Sequence, residues 1–156
     1  MKKSITFLFA VVMGLFALTS CNSSESGPDA RDLLLGTYSY TMSGSYTMHF
    51  VGQQVDVPLA SGGVVKIKKD GSGNRVKMKG TDISANGVVE GDILKLDPES
   101  QTQTKDGYTI VLTATYEPAQ LVNNKLTINA TLAGTIAGGG NAGTIQGSAL
   151  VIATKY

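Results

Sequence analysis

The chain has one cysteine, one histidine and no tryptophan. A single thiol cannot close an intrachain disulfide, and one thiol with one imidazole cannot complete a zinc site of protein ligands. Charged residues are scarce at 16%, and the 13 basic residues are matched by 12 acidic ones. That leaves no basic surplus of the kind that binds nucleic acid. No G-x-S-x-G elbow is present, and the glycine tract Gly138-Gly139-Gly140 lacks the Gly-Lys-Ser/Thr ending of a phosphate loop. Helix-forming sequence is almost absent. Only Asp29–Leu35 is suited to start a helix, with Asp29 as cap and Gly36 as the stop after about two turns.

What is there begins with an address. Lys2 and Lys3 precede the apolar run Ile5–Leu18, which is shorter than the roughly 20 residues of a membrane span. A basic head and a short apolar core make residues 1–20 a signal peptide. The core ends in Leu18-Thr19-Ser20-Cys21, which resembles the lipobox of bacterial lipoproteins. The resemblance implies a diacylglyceryl thioether on Cys21, cleavage before it, and an acyl group such as palmitate on the new amino terminus. Several acyl chains anchor stably where one does not. Residues 21–33 then read as a lipidated flexible tether, small and polar over Asn22–Pro28. Without Lys2 and Lys3 the 13 basic residues fall to 11 against 12 acidic, so the exported chain is close to neutral.

Residues 34–156 read as one all-β domain. Thr, Val, Ile and Tyr are frequent, and glycines break the runs at short intervals. Tyr38–Met42 and Tyr46–Val51 are expected as a first and second strand. Residues 52–62 are ambiguous, with Pro58 on an edge or in a loop. Val65–Lys69 and Arg75–Lys79 alternate apolar and basic residues on either side of a glycine turn, the clearest hairpin of the chain. Ile83–Val89 and Ile93–Leu96 are short strands, and 97–107 is expected to be a polar loop. Tyr108–Tyr116 and Leu126–Leu132 alternate again across an Asn123-Asn124 turn. Ala137–Gly143 is expected as a glycine loop before a last strand, Thr144–Thr154. About eight strands joined by short turns close into an antiparallel up-and-down barrel, with a β-sandwich as the alternative.

Leu35-Gly-Thr-Tyr-x-Tyr40, the hairpin V-K-I-K-K-D-G-S-G-N-R-V-K-M-K and the strand Y-T-I-V-L-T-A-T-Y together resemble the calycin-like (lipocalin-like) barrel lipoproteins of Gram-negative gut bacteria. The resemblance implies an eight-stranded barrel over residues 34–156 and names no ligand and no cofactor. Asn22 follows the cysteine in place of the aspartate associated with inner-membrane retention. The expected place is therefore the cell envelope, anchored in the outer membrane through Cys21, on a face the sequence leaves open.

Tyr38, Tyr40, Tyr46, Phe50, Tyr108 and Tyr116 are the candidate ligand contacts. Aromatics lining a barrel mouth stack on an apolar or sugar ligand, but they also fill an eight-stranded interior. An empty cavity of ~300 Å³ or more would mark a ligand site. A filled interior would mark a structural or interaction module contacting envelope protein or polysaccharide. His49 is expected to face solvent. Asp97, Glu99 and Asp106 share a segment but lack the spacing of a calcium loop. Lys66, Lys68, Lys69, Arg75, Lys77 and Lys79 would gather on one outer face, suited to anionic head groups or an acidic glycan, or to keeping sheet edges apart. No catalytic residues, metal ligands or cofactor are expected, so the domain reads as non-catalytic.

Overall fold

The computed structural model describes residues 29–156; the signal peptide, Cys21 and the Asn22–Pro28 segment lie outside the described residues. Ten strand segments form one antiparallel sheet: β1 (Gly36–Phe50), β2 (Gln53–Lys69), β3 (Arg75–Gly80), β4 (Ser84–Glu90), β5 (Ile93–Leu96), β6 (Glu99–Lys105), β7 (Tyr108–Tyr116), β8 (Ala119–Val122), β9 (Lys125–Gly138) and β10 (Asn141–Lys155). The ladder runs β1-β2-β3-β4-β5-β8-β9-β10, and β10 pairs back onto β1, closing an eight-stranded barrel. β6 and β7 do not add strands to it. The pairings Ile93↔Gln120 and Leu94↔Ala119 share one register with Glu99↔Ala114 through Lys105↔Tyr108. β5 and β6 are therefore one long strand interrupted at Asp97-Pro98, and β7 and β8 another interrupted at Glu117-Pro118. The barrel is an up-and-down meander of eight strands, as the turn spacing led one to expect.

Period-two alternation decides which side faces in. On β9, Leu126, Ile128, Ala130 and Leu132 are buried, while Thr127, Asn129 and Thr131 are exposed. The Val65/Ile67 and Val76/Met78 arms of the basic hairpin are buried as predicted. Apolar side chains point inward and Thr, Ser and Lys outward, the reverse of a membrane-spanning barrel. A lower core packs Tyr38, Tyr40, Val65, Ile67, Val76, Leu94, Leu126 and Ile128. A smaller upper cluster is built on Ala130, Leu132 and Ala149.

The lower end is stoppered by the residues before β1. The expected two-turn helix is a single 3-10 turn, Ala30–Leu33, capped by Asp29, whose carboxylate accepts from the Arg31 amide at 3.0 Å. Residues 29–34, read from sequence as the tether's end and the domain's first residue, belong to the packed unit. Arg31 is buried, and its guanidinium donates to the carbonyls of Gly71 and Arg75, both at 3.3 Å, and to Asp29. Leu34 is fully buried, and the Tyr38 hydroxyl donates to its carbonyl at 2.7 Å. Lys155 Nζ donates to the Leu33 carbonyl at 2.7 Å.

Three local expectations are corrected. Tyr38–Met42 and Tyr46–Val51 are one strand: Gly44 does not turn the chain but lets it pass the neighbouring strand closely, since a Cβ there would sit 2.7 Å from the Ala149 Cα. Residues 97–107 are not a loop but contain β6, polar on both faces. The glycine loop shrinks to Gly139-Gly140, whose φ of 57° and 78° make a two-residue hairpin turn. Asn123 and Asn124, at 51° and 61°, make another, as predicted.

Candidate functional site

The strands differ in length, and that difference makes the site. β3 and β4 stop at Gly80 and Ser84, while β1, β2, β9 and β10 run on well past that level. Among the described residues, β2 has no partner on its β3 side beyond Val65↔Gly80, and the long β5–β6 strand has none on its β4 side beyond Asp97, whose amide bonds the Asn86 carbonyl. Among the described residues no ladder joins these two free edges, so the upper wall has a lateral opening.

Behind the opening lies a half-open cavity of about 210 Å³. Three inward positions that carry large residues elsewhere carry alanine here: Ala114 on β7, Ala130 on β9 and Ala149 on β10. Leu132 pairs with Ala114, and Ala130 lies between Tyr116 and Ala149 in the ladder. Met42, Leu59, Leu112, Ile128 and Val151 complete an apolar wall. The polar groups lie at the rim: Asp82 from the β3–β4 connection, Ser84 at the exposed start of β4, and Glu99 and Gln101 from the inward face of β6. Asp82 accepts from the Ser61 hydroxyl at 2.7 Å, which ties β2 to that connection. Glu99 is half-buried and makes no ion pair among the described residues. Burial, and then the Glu99 carboxylate, push the Tyr116 phenol above its ordinary range. Among the described residues no lysine, arginine or histidine lines the cavity. A broader hollow of about 390 Å³ lies on the outer wall around Ser43, Asn129 and Ser148, but it is open to solvent.

The six aromatic candidates separate into three places. Tyr38 and Tyr40 are 0% and 2% exposed in the lower core, so they fill the barrel and do not line the cavity. The Tyr40 hydroxyl is buried and finds no hydrogen-bond partner among the described residues. Tyr116 lines the cavity and Tyr46 packs on the upper cluster. Phe50 and Tyr108 meet edge to face at the upper rim, their centroids 5.7 Å apart. His49 is exposed on the outer face of β1. The acidic residues do not converge. Asp97 pairs with Arg75 at 2.7 Å, Glu99 faces the cavity, and Asp106 sits in the β6–β7 turn. Among the described residues no three His, Cys, Asp or Glu side chains come together to hold a metal. Sequence reading missed the rim of Asp82, Glu99 and Gln101, because β6 carries no apolar alternation to reveal it as a strand. Ala114 and Ala130 are legible as small residues on the apolar faces of their strands, whereas the sequence does not single out Ala149.

At 210 Å³ the cavity is smaller than the ~300 Å³ expected of a pocket for a drug-sized ligand. It exceeds the ~150 Å³ of an engineered apolar cavity that holds benzene. It therefore suits one ring or a short aliphatic segment, with a polar end at the rim.

No protein-family model matches the chain, and no curated protein does. Among solved structures it is similar to the ywiB protein from Bacillus subtilis, at 10% identity and a TM-score of 0.34, over 77% of this chain and 93% of that one.

Proposed function

We propose that the protein is a non-catalytic lipoprotein of the cell envelope, a calycin-like barrel held at the outer membrane through acylated Cys21, that binds a small hydrophobic ligand. The observation that carries the binding part is the alanine-lined cavity of about 210 Å³, closed below by the packed core and open at one side. Two carboxylates stand at its rim with no cation among the lining residues. A ligand with an apolar body and a neutral or cationic end suits this arrangement. A fatty acid would bring a third negative charge to a partly dehydrated site and is disfavoured. The lipobox and the signal peptide support the address, and the closed barrel is compatible with the calycin-like reading.

Native mass spectrometry of the protein purified from its own envelope tests both halves. The expected result is an added acyl mass on a chain beginning at Cys21, together with a co-purifying molecule small enough for the cavity. An unmodified cysteine would overturn the address. A protein that neither co-purifies with a small molecule nor takes up a one-ring apolar probe would overturn the binding reading. A bound envelope component in its place would favour the alternative, a structural or interaction module.

A further inference from the structure

The lysine-rich hairpin does not protect a sheet edge. β3 is paired to β2 and β4 along the whole of the basic segment, and β2 is paired to β3 throughout it and to β1 as far as Ile67. On the outer wall Lys66 lies directly opposite Lys79, and Lys68 directly opposite Lys77. Like charges opposed across an antiparallel pair destabilise it. The remaining two cations of the hairpin are neutralised: Lys69 reaches Asp29 at 2.7 Å and Asp32 at 2.9 Å, and Arg75 reaches Asp97. Lys66, Lys68, Lys77 and Lys79 are exposed and have no acidic partner among the described residues. The residues flanking them outward on β1 and β4 are Thr37, Ser84 and Asn86, which add no negative charge. Val64, 45% exposed, continues the same face.

The position of this wall matters as much as its charge. Asp29, where the described chain begins, is held against Lys69, and Arg31 is held against Gly71 and Arg75 at the turn of the same hairpin. The segment that leads back to Cys21 therefore leaves from the end of the basic wall. The eight residues from Cys21 to Pro28 can reach at most about 29 Å, the limit for any chain of that length. An anchored barrel is thus kept within reach of the bilayer with this corner nearest to it.

We propose that the outer wall of β2 and β3 docks on anionic lipid head groups, so that the barrel lies with this side against the membrane. The four lysines supply the attraction and Val64 a shallow apolar contact. The proposal rests on the anchored reading only for how the wall is brought to the membrane. A basic residue near an anionic bilayer strengthens binding roughly fivefold, and salt weakens the attraction within a Debye length.

The test is lysine acetylation of the full acylated protein on vesicles, read residue by residue by mass spectrometry. On phosphatidylglycerol-containing vesicles at low salt, Lys66, Lys68, Lys77 and Lys79 should react at least fivefold more slowly than on phosphatidylcholine vesicles. Lys125, on β9 across the barrel, should react equally on both. High salt should erase the difference. Replacing Lys66 and Lys79 with serine should weaken the protection read at Lys68 and Lys77, and should raise the melting temperature by removing one opposed charge pair, which distinguishes lost docking from lost fold. Equal reactivity on the two vesicle types overturns the proposal. So does protection by a soluble acidic polysaccharide without protection by vesicles. Flotation with uncharged phosphatidylcholine vesicles reads the anchor separately, so a missing acyl group and a missing lipid-docking face give different results.

Discussion

Replacing Ala130 with leucine puts the cavity to a direct physical test. Ala130 points inward from β9, is 6% exposed, and lies between Tyr116 and Ala149 in the ladder, all three lining the space. Leucine adds three carbons. At ~0.8 kcal/mol per buried methylene they would contribute about 2.4 kcal/mol. Fixing the leucine rotamer takes back ~0.5–1 kcal/mol, leaving a gain of about 1.5 kcal/mol. That is within the range that cavity-filling substitutions reach, ~0.5–2 kcal/mol. For a domain of this size it raises the melting temperature by roughly 5 °C. Scanning calorimetry reads the stability, and chemical-shift titration with benzene reads the cavity. The expected pair of results is a higher melting temperature and lost benzene binding. If the interior were already filled, the extra carbons would overpack it and cost ~1–3 kcal/mol. A variant that melts several degrees lower, or that binds benzene as the parent does, refutes the cavity.

Four other outcomes follow from the packing. Leu34→Ala empties a fully buried position beneath the lower core and should cost ~2–5 kcal/mol, visible as a lower midpoint in urea. The Arg31 guanidinium and then Lys69 hold the Asp29 carboxyl well below the usual carboxylate range. A depressed carboxyl stabilises the fold above its ordinary value of 3.8 and loses that effect as pH falls further. The plug should therefore loosen below about pH 4, seen as faster pepsin cleavage near Leu33, and Asp29→Asn should abolish that pH dependence. Burial pushes the Tyr38 phenol up to about 12 from 10.0. A raised phenol stabilises the fold below its ordinary value, and the effect is lost as pH climbs from about 10 to 12. Tyr38→Phe should remove that alkaline step, followed by phenolate absorbance, while losing about 1 kcal/mol from the hydrogen bond to Leu34. Hydrogen exchange should be fast for alternate amides of β6, which faces solvent along one edge, and slow along β9, which is paired on both sides.

How far the sequence carries depends on which face of a strand meets the core. β3 and β9 bury one face and expose the other, so their alternation is legible, and so are the Asn123-Asn124 turn and the strand count. β6 reads Glu-Ser-Gln-Thr-Gln-Thr-Lys, and its inward residues look toward the lateral opening instead of a packed interior. With nothing apolar to bury, its composition matches a loop, and only pairing to β7 makes it a strand. Gly44 misled for the opposite reason: glycine signals a turn in isolation, whereas here it answers the approach of β10. The aromatic candidates show the same limit. Periodicity places Tyr38, Tyr40, Tyr46 and Tyr116 on one side of their strands, but it does not say how high in the barrel each sits. Height separates the two that fill the core from the one that lines the cavity.

The prolines of the barrel trace the border of the opening. Pro58 lies on the stretch of β2 that has lost its β3 neighbour, and it removes one donor from that free edge. Pro98 stands where the long β5–β6 strand leaves β4, one residue after the Asp97 amide makes its bond to the Asn86 carbonyl. Pro118 interrupts the facing strand. There the pairing with β9 slips by one residue between Tyr116↔Ala130 and Leu121↔Leu126, the mark of a bulge. A bulge bends its strand, and a residue without an N–H cannot extend a ladder on that side. Three features thus act together: short β3 and β4 remove the partners, Pro58 on β2 and the polar residues of β6 line the edges that result, and three alanines leave the space behind them. Lengthening β3 past Gly80 would therefore extend the ladder along β2 only as far as Pro58, which offers no N–H.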